Sequence, residues 1–149
     1  MIDIIDTHVH IEEIEDLELV LNRAKEANVA SLIAVGSDCS SNKEILRLSR
    51  EVNLLKIYPA LGIHPGNINL DEFETTLKSI EENISKVTAI GEIGLDYWYK
   101  SVKKNQAERE KQHKIFNLQL ELAKKYSKPV IIHSRGAWEE CYKIVKDKE

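Results

Sequence analysis

Cysteine, basic excess and long apolar runs are all scarce in this chain, and each shortage removes a class of protein. Only two cysteines occur in 149 residues. Cys39 and Cys141 form no Cys-x-x-Cys pair and no disulfide framework, so they read as reduced intracellular thiols. Lysine and arginine number 21 against 25 aspartates and glutamates, a formal net charge of −4. No basic footprint covers the surface, and broad electrostatic coating of long nucleic acid is not expected. A phosphate substrate stays open, because bound divalent metal can reverse the local sign inside a cleft. No window approaches the roughly 20 apolar residues of a membrane-crossing helix, and no basic segment leads into an apolar stretch at the N-terminus. No membrane association is expected, and the expected location is cytoplasmic.

The chain has the length of one domain, and 42% of its residues are hydrophobic, enough for a real core. Residues 1–149 are expected to form a single domain. Short apolar strands alternate with amphipathic helices throughout. Strands are predicted at Asp3 to Val9, Val29 to Val35, Lys56 to Gly62, Val87 to Ile93 and Pro129 to His133. Between them, Leu17, Val20, Leu21 and Ala24 recur at helical spacing. Ser41 with Glu44 resembles a capping box before Ile45, and Asn69 with Glu72 does the same before Phe73. The longest helix carries Ile115, Phe116, Leu118, Leu120, Leu122 and Ala123, and a further helix is predicted from Ala137 to Val145.

A βα pattern repeated five times argues for parallel strands joined by right-handed crossovers. The spacing of about 30 residues per unit is the pitch of a (β/α)8 barrel, which typically needs about 250 residues to close. A doubly wound open sheet is the alternative, yet no Gly-x-Gly-x-x-Gly follows the first strand and no Walker sequence occurs. The expected fold is α/β, a (β/α)8 TIM-barrel type truncated to about five βα units.

Polar residues without a packing reason gather where barrel strands end. Asp6-Thr7-His8-Val9-His10 closes the first strand, and strict alternation places Asp6, His8 and His10 on one face, where two imidazoles can hold one divalent cation. His64 lies just past the third strand, in a loop shaped by Pro65 and Gly66. Glu92 interrupts the apolar fourth strand between Gly91 and Gly94, glycines that would leave room for a ligand or metal near the backbone. The fifth strand ends in His133-Ser134-Arg135. Four of five strand ends thus carry an imidazole or carboxylate.

Plainer readings apply to some of these residues. His64 alone could be a solvated turn residue. Glu92 is harder to dismiss, because an unpaired carboxylate in a buried strand costs several kcal/mol, so it must be paired or metal-bound. His113, on the polar face of the long helix, reads as solvated. Lys100, Lys103 and Lys104 read as decoration of a mobile loop, although they could guide a phosphate. Tyr97, Trp98 and Tyr99 could stack on a base or simply cover the rim. Ser134 has no elbow motif around it, which argues against a serine nucleophile.

Five ordered motifs carry a resemblance. Asp-Thr-His-x-His, Gly-Ile-His-Pro-Gly, Gly-Glu-Ile-Gly-Leu-Asp-Tyr, the segment from Gln112 through Phe116 into Gln-Leu-Glu-Leu-Ala, and Pro-Val-Ile-Ile-His-Ser-Arg resemble the TatD-type metal-dependent deoxyribonucleases. The similarity runs from Ile5 to about Tyr142. It implies an amidohydrolase-like TIM barrel with two divalent ions (Mg, Mn or Zn) at the strand ends. In that pattern His8 and His10 hold the first metal, Glu92 bridges both, and His133 binds the second. Imidazole suits such ions, and one carboxylate can span a pair about 3.5 to 4 Å apart. The implied chemistry is attack of a two-metal-activated water on a DNA phosphodiester, by a 3′-5′ exonuclease or single-strand DNase. Glu92 and His64 are the implied catalytic residues. His64 and Arg135 are the implied phosphate contacts, Arg135 because its fork matches phosphate oxygens.

The family also uses a histidine and an aspartate from later strands. After the fifth strand Glu139 and Glu140 fall in the predicted helix and Asp147 and Glu149 follow it, and none of them has a strand context. A fragment of a longer enzyme, one half of a split protein, and a shortened inactive product are the alternatives. An open sheet invites pairing at its edges, so the expected partners are DNA or nucleotide substrate and a second chain completing the barrel. Two other functions stay open. One is an amidohydrolase-type enzyme acting on a different ester or amide, although the lysine that some of those enzymes carbamylate at the fourth strand is here Glu92. The other is an incomplete, non-catalytic metal-binding subunit.

Overall fold

The computed structural model describes residues 2–148. Their strands are β1 (Ile4–Val9), β2 (Val29–Val35), β3 (Lys56–Leu61), β4 (Ala89–Asp96) and β5 (Val130–Arg135). Helices α1 (Leu17–Glu26), α2 (Cys39–Glu51), α3 (Phe73–Glu82), α4 (Lys100–Lys103), α5 (Gln106–Lys125) and α6 (Trp138–Lys146) alternate with them. All strand pairs are parallel, in the order β1-β2-β3-β4-β5. A doubly wound sheet would reverse order at a switch point. Strictly sequential order is barrel order, and the sheet is an open half-barrel of the (β/α)8 type.

Two faces of the sheet pack differently. Leu32, Ile57, Ile90, Ile93 and Leu95 point outward into the main core, against Ile45 of α2 and Phe116 and Leu120 of α5. The inner face is thinner, with Val35, Ala60 and Ala89 buried and Ile33 and Ile131 partly so. Small residues suit the tapering inside of a barrel.

Two irregularities in register decide which residues reach the inner face. In β4, Ile90 pairs with Val130 and Ile93 with Ile132, so one extra residue of β4 falls between them. The extra residue reverses the alternation. Ile93 and Leu95 therefore rejoin the outward core, and Glu92, Gly94 and Asp96 turn inward. In β1, Asp6 pairs with Leu32 and Val9 with Ala34, again one extra residue. Asp6 thus falls in register with an outward residue, which corrects the expected grouping of Asp6 with His8 and His10; its Oδ1 accepts the His8 N–H at 3.1 Å.

Side-chain amides fasten the strand ends. Asn42 of α2 donates to the Gly62 carbonyl at 2.9 Å and accepts the Gly62 N–H at 3.2 Å. Gln119 of α5 does the same to Ile63, at 3.1 and 2.7 Å. Gly62 itself is required by close approach, since a Cβ there would lie 2.7 Å from the Glu92 carbonyl oxygen.

Both expected capping boxes are displaced. α2 is capped by Asp38, whose Oδ1 accepts the Ser41 N–H at 2.8 Å while Ser41 Oγ accepts the Asp38 N–H at 2.9 Å. Glu44 instead bonds Arg47. Asn69 caps no helix; it accepts the Asp71 N–H at 3.0 Å, and α3 begins after Glu72 with no side-chain cap. The Asp38 carboxylate reaches the N3 amide, that of Ser41, directly, which suits a tight turn out of β2.

Candidate metal centre

The carboxyl ends of β1, β3, β4 and β5 bring His8, His10, His64, Glu92 and His133 together. Glu92 is 7% exposed and lies at the middle. Its Oε2 is 3.3 Å from His8 Nε2 and 3.5 Å from His10 Nε2, and its Oε1 is 2.9 Å from His133 Nδ1. Two groups of possible metal donors result, His8-His10-Glu92 and His64-Glu92-His133, and Glu92 belongs to both.

The spacing fits shared cations. Two donors, each about 2.1 Å from one ion at a near-tetrahedral angle, lie about 3.4 Å apart, close to the His8 and His10 separations from Glu92. Imidazole and carboxylate donors are the set that zinc, manganese and related ions take. These residues would hold a divalent pair, with one carboxylate oxygen toward each group.

Charge within the site is mutually supporting. Burial alone would raise the Glu92 pKa, but the His133 hydrogen bond and the nearby His64 and His8 hold it below the usual carboxylate range. The Glu92 bond in turn raises His133 against the opposing effect of burial. His64 is pushed down to about 4 by burial, then by the neighbouring His133, so its ring is neutral at neutral pH. Its Nδ1 accepts the Gly66 N–H at 3.0 Å. A neutral imidazole that accepts at Nδ1 carries its proton on Nε2. His64 therefore presents a donor toward the centre, where a metal ligand would need a lone pair.

Asp96 is the residue that sequence reading passed over. It is fully buried, and its Oδ2 lies 2.9 Å from both His133 Nε2 and Arg135 Nε. Its Oδ1 accepts the Trp98 N–H at 2.8 Å. These contacts outweigh burial and hold its pKa below the ordinary aspartate value. With Nε2 held by Asp96, His133 has Nδ1 to offer a cation, the carboxylate-histidine arrangement that orients metal ligands. The signal was present as spacing: Glu92 and Asp96 are four apart in one strand and share a face.

Other expectations are revised here. The space beside Gly91 and Gly94 is filled by β5, not left for a ligand: Cβ atoms there would lie 2.6 Å from the Ile131 Cβ and 2.0 Å from the His133 carbonyl oxygen. His113 is not simply solvated, since its Nε2 lies 2.6 Å from the Tyr97 hydroxyl and 2.9 Å from Glu140 Oε1. Lys100 and Lys103 lie on α4, anchored by buried Val102, and not on an irregular loop. Of the three aromatics, Tyr97 is buried against α5 and α6, whereas Trp98 is exposed. Tyr99 lies under the Arg135 guanidinium, 5.0 Å away.

A parallel half-barrel with imidazoles and carboxylates converging on its strand ends defines a barrel of the metal-dependent hydrolase type. Comparisons with known proteins give the family. The family described as TatD related DNase matches residues 5–149. The chain is 38% identical to the uncharacterized metal-dependent hydrolase YabD of Bacillus subtilis, over 96% of this chain and 55% of that protein. It is 30% identical to the human deoxyribonuclease TATDN3, over 99% and 57%. The crystal structure of YjjV, a TatD homologue from Escherichia coli, superposes with a TM-score of 0.84 at 32% identity, covering 97% of this chain and 55% of that one. The chain belongs to the TatD-related DNase family and spans a little over half the length of these relatives.

Proposed function

We propose that this chain is the N-terminal portion of a metal-dependent hydrolase that cleaves DNA phosphodiester bonds, with residues 1–149 acting as one domain. The observation that carries the reading is Glu92, a buried carboxylate reached by His8, His10 and His133. His8, His10, Glu92 and His133 are assigned to the metals. When bound, a divalent pair supplies Lewis acidity and an acidified water. Glu92 holds the two donor groups in one frame and fixes their charge. His64, neutral and donating from Nε2, contacts a phosphate oxygen; a ring that is neutral at neutral pH has no acid proton to give the leaving oxygen. Arg135, fixed by Asp96 at Nε and 48% exposed in its side chain, offers the rest of its fork to phosphate.

The name of human TATDN3 as a deoxyribonuclease supports the substrate class. Among the described residues no helix is long and apolar enough to cross a membrane. Both cysteines are free, in keeping with a reducing, cytoplasmic setting. Ile4 and Ile5 on the β1 edge are 51% and 58% exposed, and Ile132 on β5 is 36% exposed. Such edges support a partner, either further βα units or a second chain, that completes the barrel.

The test is hydrolysis of a 3′-labelled single-stranded oligonucleotide with magnesium or manganese. Metal-dependent shortening that is lost with chelator and in Glu92→Ala supports the reading. Shortening that survives Glu92→Ala, or cleavage confined to carboxylic esters and amides, contradicts it.

A further inference from the structure

One tyrosine touches the surroundings of both phosphate donors assigned above. Tyr99 follows β4, and its backbone is fixed on either side. Before it, Asp96 Oδ1 accepts the Trp98 N–H at 2.8 Å, an Asx-type turn at the strand end. After it, the N–H groups of Val102 and Lys103 donate to the Tyr99 carbonyl at 3.0 and 2.9 Å, and Val102 is buried. The side chain meets two neighbours. The Arg135 guanidinium carbon sits over its ring, 5.0 Å from the centre. Its hydroxyl end rests against Gly66, where a Cβ would lie 2.7 Å from the Tyr99 oxygen and 3.1 Å from His64 Nδ1. The Gly66 N–H is the group that holds that same Nδ1.

Arg135 needs such a support. Its side chain is 48% exposed, and a guanidinium on a flexible stem gives up rotamer freedom when it grips an anion. The Asp96 bond fixes Nε at 2.9 Å, yet one hydrogen bond leaves the guanidinium plane free to tilt. The Tyr99 ring closes one face of that plane, and neither contact uses Nη1 or Nη2. His64 stands on the other side of His133: the two imidazoles meet edge to face with centres 4.3 Å apart, and Asp96 joins His133 to Arg135. The two donors thus flank His133, and Tyr99 reaches from the guanidinium of one to the turn that orients the other.

We propose that Tyr99 is a positioning residue that sets the separation between the His64 and Arg135 donors and so fits the site to the oxygens of a phosphate group. The proposal rests on the assignment of both donors to phosphate in the reading above. Tyr99 makes no bond to the substrate. It acts through the face of Arg135 and the turn at Gly66, so an aromatic ring can serve in its place and an aliphatic side chain cannot.

The experiment is titration of the chelator-treated chain with inorganic phosphate, followed by heteronuclear NMR at the Gly66 amide and the Arg135 Nε–H. The expected result is saturable binding, weakened about three- to tenfold in Tyr99→Leu and kept within about twofold of wild type in Tyr99→Phe. Arg135→Gln should weaken it about tenfold or more. Equal affinity in wild type and Tyr99→Leu, an equal loss in Tyr99→Leu and Tyr99→Phe, or no saturable binding in the wild type overturns the proposal. Hydrolysis of bis(4-nitrophenyl) phosphate by the metal-loaded chain is read in parallel. There Tyr99→Leu should raise KM by the same factor with kcat little changed, since a contact held equally in ground and transition states acts on KM alone. Hydrolysis with unchanged phosphate affinity in Tyr99→Leu removes the role of Tyr99 and leaves the phosphodiester reading. Weakened phosphate binding in Tyr99→Leu with no hydrolysis by the wild type removes that reading and leaves the role of Tyr99.

Discussion

Gln112 grips the backbone of Asp96 with both ends of its amide: the Asp96 N–H donates to Oε1 at 2.9 Å, and Nε2 donates to the Asp96 carbonyl at 3.2 Å. Nε2 also reaches the Pro65 carbonyl at 3.3 Å, so one buried side chain of α5 ties the end of β4 to the loop that carries His64. Replacing it with leucine leaves those backbone groups unpaired in the interior. Gln112→Leu is expected to cost about 2–4 kcal/mol, from a buried group penalty of about 1–3 kcal/mol each, measured by urea denaturation. Gln106→Leu, on the exposed first turn of the same helix, is expected to change stability by less than about 0.5 kcal/mol. Equal shifts in the two variants would contradict the clamp.

Gly94 has φ +141°, and a Cβ there would lie 2.0 Å from the His133 carbonyl oxygen. A side chain must either push β5 away or unfold the strand end. Gly94→Ala should therefore destabilise by about 3 kcal/mol or more, or leave a folded protein with weakened cation binding at His133. A thermal midpoint and cation affinity both unchanged would show that β5 yields more easily than its close packing implies.

His64 belongs by distance to one of the two donor groups, yet its Nδ1 accepts from Gly66. As a donor and not a ligand, it can be removed without loss of metal. His64→Gln is expected to lower phosphodiester turnover by about 10²–10³-fold, the scale of losing one preorganised donor to a charged oxygen, while the cation count per chain stays at its wild-type value. Loss of a bound cation in this variant would return His64 to the ligand set.

Cys141 is buried and its thiol is pushed up to about 11, chiefly by burial. An unfolded thiol ionises near about 8.5, so between these values the folded chain binds more protons than the unfolded one. The resulting stabilisation is fully present below the unfolded pKa and is lost as pH rises through the folded one. Iodoacetamide at pH 8 should label partly exposed Cys39 well before Cys141, with Cys141 labelling only toward strongly alkaline pH. Equal labelling rates, read by peptide mass spectrometry, would contradict the burial.

Much of this was legible before the fold. Five strands emerged from apolar runs, and His8, His10, His64, Glu92 and His133 all lay at strand ends because the barrel repeats one pattern. What escaped was phase. Strict alternation from Ile90 would place Glu92 on the outward face, and only the extra residue between Ile90 and Ile93 turns it inward. The same slip in β1 separates Asp6 from His8. Bulges leave no mark in a hydrophobic pattern, since they change register and not composition. Asp96 escaped for a different reason: it lies three residues beyond Ile93, where the expected strand stops, and its role rests on His133 and Arg135 meeting on it across the sheet. The helix caps shifted because Asp38 and Ser41 satisfy each other, which a search for serine followed by glutamate does not find.

The shared position of Glu92 makes a simple demand on stoichiometry. Calorimetric titration of chelator-treated protein with manganese should give two cations per chain, and Glu92→Ala should weaken both, because one carboxylate serves both donor groups. Two cations bound with unchanged affinity in Glu92→Ala, or no binding beyond that of scattered surface carboxylates in the wild type, would contradict a Glu92-centred metal pair.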